Sequence, residues 1–215
     1  MKKRTKTLLL FGLIGSVLFI IMFLIEGATR EGYSPFRFPI SSLSIGDLGW
    51  IQITNFIISG SLIFLFAFGL RNALLPSKDS KWIPRLIGAV GLGLIGAGIF
   101  SSDPVFGYPM TEPLAIAQFT IHGHLHDFFS IFVFVCLPIT CFKYRKRFTI
   151  LNEQRWSLYS LLTAITMLIT FLLAGIGFKQ TIGLVEYAGV FQRLSIIIGF
   201  TWISAIAIYH LKNYK

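Results

Sequence analysis

The sequence predicts an all-α, polytopic membrane protein: one bundle of six transmembrane helices formed by a single domain over 1–215. Three observations carry this expectation. The chain is 54% hydrophobic and only 13% charged, with a mean hydropathy of +0.74. Apolar runs long enough to cross a bilayer occur six times, at about 8–25, 50–70, 83–100, 121–142, 156–178 and 189–211. Basic residues also alternate from one side of these runs to the other.

The first run follows Met-Lys-Lys-Arg-Thr-Lys, a start compatible with a secretory leader. It lacks a small-x-small cleavage site and is long, so a retained first helix is expected. The third run contains Arg85 near its start, which places its apolar part a few residues later. Its sequence GAVGLGLIGAG repeats Ala89, Gly93 and Ala97 every four residues. Small residues at that spacing let a neighbouring helix approach closely. A phosphate-binding loop does not fit, because the glycines lie within an apolar span with no following Lys.

Lys and Arg set the expected orientation. Fifteen of the 19 fall at the N-terminus, in the second-to-third and fourth-to-fifth connections, or at the C-terminus. Only Arg30, Arg37, Lys179 and Arg193 fall on the other side. The positive-inside rule then places both termini in the cytoplasm of a multi-pass cell-membrane protein. The net charge of +10 is thus a record of topology, and nucleic acid is not expected as a partner. Membrane lipids are, with anionic lipid attracted to the inner leaflet.

The acids show the reverse bias. Seven of nine lie outside or in the outward ends of helices: Glu26, Glu31, Asp47, Asp103, Glu112, Asp127 and Glu186. Three of the four histidines join them, so polar chemistry is expected in the outward half. Cys136 and Cys141 lie in the inner half of the fourth run, where neither a disulfide nor a two-thiol metal site is expected.

Two outer segments stand out. Residues 33–49, YSPFRFPISSLSIGDLG, are expected to form a short helix at the interface. Residues 101–118, containing DPVFGYP, are expected to form an ordered loop capping the bundle.

HGHLHD, residues 122–127, concentrates the candidate chemistry. On a regular helix His122 and His126 share a face, while His124 shares a face with Asp127. Two histidines four apart can bind zinc but supply only two ligands. Asp103 or Asp47 would have to complete the set. A hydrogen-bonded cluster or a proton-responsive site requires fewer groups. Asp103 and His126 are expected to approach one another, with Arg193 near enough to bias the local charge. Glu26 and Arg30, four apart, are ordered for an ion pair. Glu186 and Arg193, seven apart, share a face if the last helix extends back to Glu186. Ionisable groups at membrane depth are costly unless paired or hydrated. These groups therefore either lock helix ends together or line a cavity that receives a headgroup or small solute.

YSPFRFPISSLSIGDLGWIQITNF, FGLRNAL, GIFSSDPVFGYP, HGHLHDFFSIFVFVCLP and the late FQR with Trp202 together resemble the domain-of-unknown-function-998 family of integral membrane proteins. The resemblance covers about 33–202. It implies fold and topology rather than an activity, and it makes Ser42, Gly46, Trp50, Asp103, Pro104, Gly123, His126 and Arg193 motif positions.

The residues and the resemblance leave three readings. The first is a membrane protein with an outward polar cavity that binds or transports a lipid headgroup or small solute. Its candidate binding residues are Ser42, Asp47, Asp103, His122, His126, Asp127, Glu186 and Arg193. The second is a metal-dependent membrane hydrolase using His122, His126 and Asp103. The third is a structural or accessory membrane protein. No nucleophile elbow, HExxH motif, inverted repeat or pair of broken helices favours hydrolysis or transport. Neither a cofactor nor a catalytic residue can be assigned from the sequence.

Overall fold

In the computed structural model, residues 2–75, 77, 79–105, 107–109, 120–179 and 183–214 are described. Six long helices follow in chain order: α1 (Lys2–Thr29), α2 (Gly49–Ala73), α3 (Asp79–Ile99), α4 (Ile121–Ile150), α5 (Gln154–Phe178) and α6 (Ala188–Asn213). Each is long and apolar enough to cross a membrane. The described residues contain no β-strand, only an isolated bridge between Val105 and Tyr108. The expected bundle of six helices is the architecture found.

Each helix packs against the next, and α6 returns to α1, closing a six-membered ring. The even number of spans brings both termini to one end, here called proximal; the HGHLHD end is distal. Aromatic side chains fill the centre. Phe19 of α1 stacks on Phe200 of α6 at 5.0 Å, and Phe134 of α4 stacks on Phe171 of α5 at 4.2 Å. The outer faces remain apolar, with Ile14, Phe68, Leu92, Ile131 and Leu172 all exposed. Surface of this kind needs a hydrocarbon solvent.

Helices α2, α3 and α4 meet through small residues. Toward α4, Gly93 faces the Phe129 carbonyl, and the Ala97 carbonyl meets His126. Toward α2, Gly91 lies against Gly60 and the Phe64 backbone. The expected stripe of Ala89, Gly93 and Ala97 thus serves the α4 contact only in part. Ala89 borders a groove between α2 and α3. A second set of small residues makes the α2 contact, because α3 must bury two opposite faces and not one.

The 33–49 segment is more deeply embedded than an interfacial helix. Before α2 opens at Gly49 its helical part is a 3-10 turn, Ile40–Ser44, with Ile40, Ser42, Leu43 and Ser44 buried against α1 and α2. Leu43 and Ile40 anchor it as core residues. In the 101–118 segment, Tyr108 packs on Tyr33 and Phe38, each at 5.3 Å between ring centroids. The α1–α2 and α3–α4 connections therefore cover the distal end together. Residues 106 and 110–118 of the expected cap, including Glu112, lie outside the described residues.

Candidate functional site at the distal end

The HGHLHD stretch is the first turn and a half of α4. Thr120 caps this helix, its hydroxyl accepting a bond from the Gly123 N–H at 3.0 Å. Asp103 fixes the cap from the preceding loop. Its carboxylate accepts the Thr120 N–H at 2.8 Å and the Thr120 hydroxyl at 2.6 Å. A Cβ at position 123 would lie 1.9 Å from an Asp103 oxygen, so glycine there lets the loop close on the helix. The DP and HG motifs are thus two halves of one capping device. An anion at this end of α4 is also favoured by the helix dipole.

Asp103→Ala is accordingly expected to destabilise the protein by about 1.5–3 kcal/mol, the usual range for hydrogen bonds to a charged group. Asp103→Asn, which can keep part of the pattern, should cost less. Thermal unfolding in detergent measures both. Equal melting of Asp103→Ala and wild type would remove the carboxylate from this role.

His126 lies one turn deeper and is buried. Its Nδ1 is 2.9 Å from the Ala97 carbonyl, in the last turn of α3, and 2.9 Å from the carbonyl of Phe100, just past its end. Carbonyls only accept, so Nδ1 carries the hydrogen in the neutral ring. Nε2 is then the nitrogen able to accept a proton or a hydrogen bond. His122 is exposed but touches the same residue: its ring meets the Phe100 ring edge-on at 5.7 Å. The expected shared face of His122 and His126 is therefore the α3-facing side. His124 and Asp127 are exposed.

Beside His126 is a cavity of about 40 Å³ between α1, α2, α3, α4 and α6. Phe19, Phe56 and Phe134 supply much of its wall, and Ser41, Ser130 and Gln192 supply polar groups. The site is small and mainly apolar. Of the eight sequence candidates, only His126 lines it.

The remaining candidates divide among separate positions. Arg193 is buried, and its guanidinium donates to the Phe38 carbonyl at 2.9 Å, to the Gly189 carbonyl at 3.1 Å and to the Tyr33 hydroxyl. Tyr33 in turn donates to the Pro39 carbonyl at 2.9 Å and lies within 3.2 Å of the Phe38 carbonyl. Burial pushes the Tyr33 phenol up from 10.0 to about 12 against the lowering effect of Arg193, so it remains a neutral donor. Arg193 thus clamps the α1–α2 connection to α6. Asp103 bonds to Thr120 and His126 to the end of α3, so the expected trio is distributed over three sets of partners.

The expected common face of Glu186 and Arg193 is not formed. Glu186 lies in the 3-10 turn Val185–Tyr187, before α6 begins, and pairs with Arg37 at 3.6 Å on the surface. The change in helical twist there removes the seven-residue register. Glu26 and Arg30 do pair, at 2.9 Å, with Glu26 buried and Arg30 partly buried. Arg30 also donates to the Ile45 and Leu48 carbonyls at 3.2 and 3.1 Å. Ser42 is buried without a hydroxyl partner among the described residues, and Asp47 is exposed.

A metal centre does not fit these positions. Both Asp103 oxygens hold Thr120, and His126 Nδ1 holds α3. Among the described residues no three His, Cys, Asp or Glu side chains form a group able to hold a metal.

A family model described as protein of unknown function, DUF998, matches residues 13–209. The chain belongs to the DUF998 family. No curated protein and no solved structure matches it. Within this DUF998 chain, the family-like motifs acquire structural roles: DP and HG close the α4 cap, while FQR supplies Gln192 to the cavity and Arg193 to the clamp.

One polar stripe lies outside the residues singled out from the sequence. Gln52, Asn55 and Ser59 are fully buried on α2. Asn55 donates to Gln52 Oε1 at 3.1 Å and to the Phe19 carbonyl at 3.3 Å, and Ser59 donates to Asn55 Oδ1 at 3.1 Å. Their spacing of three and four was visible as one helical face in an otherwise apolar run. Gln192 was also legible beside Arg193, but its inward direction depends on where α6 starts.

Proposed function

We propose that this DUF998 protein is a multi-pass protein of the cell membrane, with cytoplasmic termini, that binds a small polar solute at His126 in its outward half. The orientation rests on the distribution of Lys and Arg. The solute reading rests on one observation: a buried imidazole beside a small cavity, with Nδ1 committed to two carbonyls. Nε2 is left as the acceptor, and the Ser130 hydroxyl and the Gln192 amide NH2 offer further polar groups, the Gln192 Oε1 being held by the Ile40 N–H at 2.8 Å.

Size narrows the earlier choice between headgroup and solute. At about 10–15 Å³ per water-sized centre, 40 Å³ admits roughly three waters. A phosphate-bearing headgroup is larger.

The test uses purified full-length protein in neutral detergent. Thermal unfolding is followed with polar solutes of about two to four non-hydrogen atoms, the size the cavity admits. At least one should raise the melting temperature of wild type and not that of Ser130→Leu, whose side chain fills the cavity. If no such solute acts, or if Ser130→Leu responds equally, the solute reading fails and the structural reading replaces it.

Orientation is tested separately, in a Cys136→Ala/Cys141→Ala background. Ser102→Cys is expected to react with a membrane-impermeant maleimide applied to intact cells. Labelling only after the cytoplasmic side is opened would reverse the topology.

A further inference from the structure

A groove of about 650 Å³ runs between α2 and α3 in the proximal half, far larger than the cavity beside His126. Its apolar wall includes Phe64, Phe68 and Leu92, with Ala67, Gly88 and Ala89 making a low floor. Phe68 and Leu92 are exposed, so the groove opens on the perimeter of the bundle, where hydrocarbon surrounds it. Its mouth carries Arg71, Lys81 and Arg85.

The arrangement follows from helical periodicity. Arg71 is in the last turn of α2, three residues beyond Phe68. Lys81 and Arg85 are four apart at the start of α3, with Ala89 four further on and Leu92 three beyond that. Two helices thus present the same sequence of surfaces: cations at the end, apolar residues toward the membrane centre.

Arg71, Lys81 and Arg85 form no ion pair among the described residues. The nearest acid along the chain, Asp79, accepts from Arg147 at 3.1 Å and from Ser77 at 3.4 Å. Arg85 lies over the ring of Trp82 at 5.5 Å, and Lys143 approaches that ring at 6.0 Å. Trp82 is exposed, as expected of a side chain at the membrane–water boundary. The three charges therefore stand at the depth where lipid phosphates lie.

We infer that this groove is a binding site for an anionic phospholipid, with its phosphate among Arg71, Lys81 and Arg85 and an acyl chain along Phe68, Ala89 and Leu92. Two properties select that occupant. An apolar groove open to the membrane accepts hydrocarbon, and a triply cationic mouth selects an anionic over a zwitterionic headgroup. A soluble anion would use the mouth but not the groove. The inference does not depend on the His126 site.

The test uses delipidated full-length protein in neutral detergent, with phosphatidylglycerol and phosphatidylcholine as probes and native mass spectrometry as the readout. One phosphatidylglycerol should bind in preference to phosphatidylcholine. Arg71→Gln/Lys81→Gln/Arg85→Gln should weaken it roughly a hundred-fold, at about 1 kcal/mol for each charge removed. The equally discharged control, Arg145→Gln/Lys146→Gln/Arg155→Gln, alters exposed residues outside the groove and should bind as wild type does. Ala89→Phe keeps every charge but fills the groove, and it should also lose the lipid. If the triple variant does not fold, Arg85→Gln alone should weaken binding roughly five-fold by the same scale.

Equal affinity for both lipids would overturn the inference, as would equal loss in the control. Wild-type affinity in Ala89→Phe would reject the groove. Inorganic phosphate competing as well as the intact lipid would reduce the mouth to an anion site and also overturn the lipid assignment.

Discussion

Gly91→Leu is expected to abolish folding of the bundle. A Cβ at this position would lie 2.6 Å from the Phe64 backbone N and 2.7 Å from the Gly60 carbonyl oxygen. Both are backbone atoms of α2, so no side-chain rotation relieves the clash. The helices would have to separate, and the contacts along their seam would be lost with them. In a membrane, where packing supplies much of the attraction between helices, that loss is not restored by hydrophobic collapse. Gly175 provides the comparison, since an added Cβ there meets nothing within 4 Å. Gly175→Ala should leave the protein folded and gain up to about 1 kcal/mol from helix propensity. Yield and monodispersity on size-exclusion chromatography distinguish the two. A monodisperse Gly91→Leu protein with wild-type melting would disprove the close α2–α3 seam.

Arg30→Met should cost about 3–5 kcal/mol, because it strands the buried Glu26 carboxylate. Glu26 Oε1 already has no hydrogen-bond partner among the described residues, and its other oxygen depends on Arg30. The variant also removes donors to the Ile45 and Leu48 carbonyls. Glu26→Gln/Arg30→Met removes both charges and should be more stable than Arg30→Met alone. It should not regain full stability, since the two carbonyl bonds remain lost. A double-mutant cycle read by thermal unfolding isolates the coupling. Additive effects of the two single changes would show that the pair contributes no coupling to stability.

These two sites mark different degrees of legibility. Glu26 and Arg30 were readable as a pair because a helix places residues four apart on one face, and no distant contact is needed to establish that. The repeat of Ala89, Gly93 and Ala97 every four residues suggested close packing, but not that Gly91 would face α2 while Gly93 faced α4. Asp103 and His126 were recognisable as polar positions on the same end. Their partners were not, because Thr120 and the Ala97 and Phe100 carbonyls become available only after the loop closes and α3 stops at Ile99. Arg193 shows the same limit. Helical spacing put it on one face with Glu186 if the last helix reached that far, yet α6 begins at Ala188 and Arg193 binds Tyr33, 160 positions away in the chain.

The amino-acid sequence alone determined the all-α class, the six spans and the local i,i+4 pair, because hydropathy over a span and helical periodicity are properties of contiguous residues. Tertiary structure alone decided which polar groups meet. It gave Arg193 and Glu186 different partners, joined Asp103 to the α4 cap, and placed His126 beside a cavity shared by five helices. Burial makes each such group take whatever donor or acceptor the folded neighbours bring within reach, and that depends on where helices stop and how closely they pack.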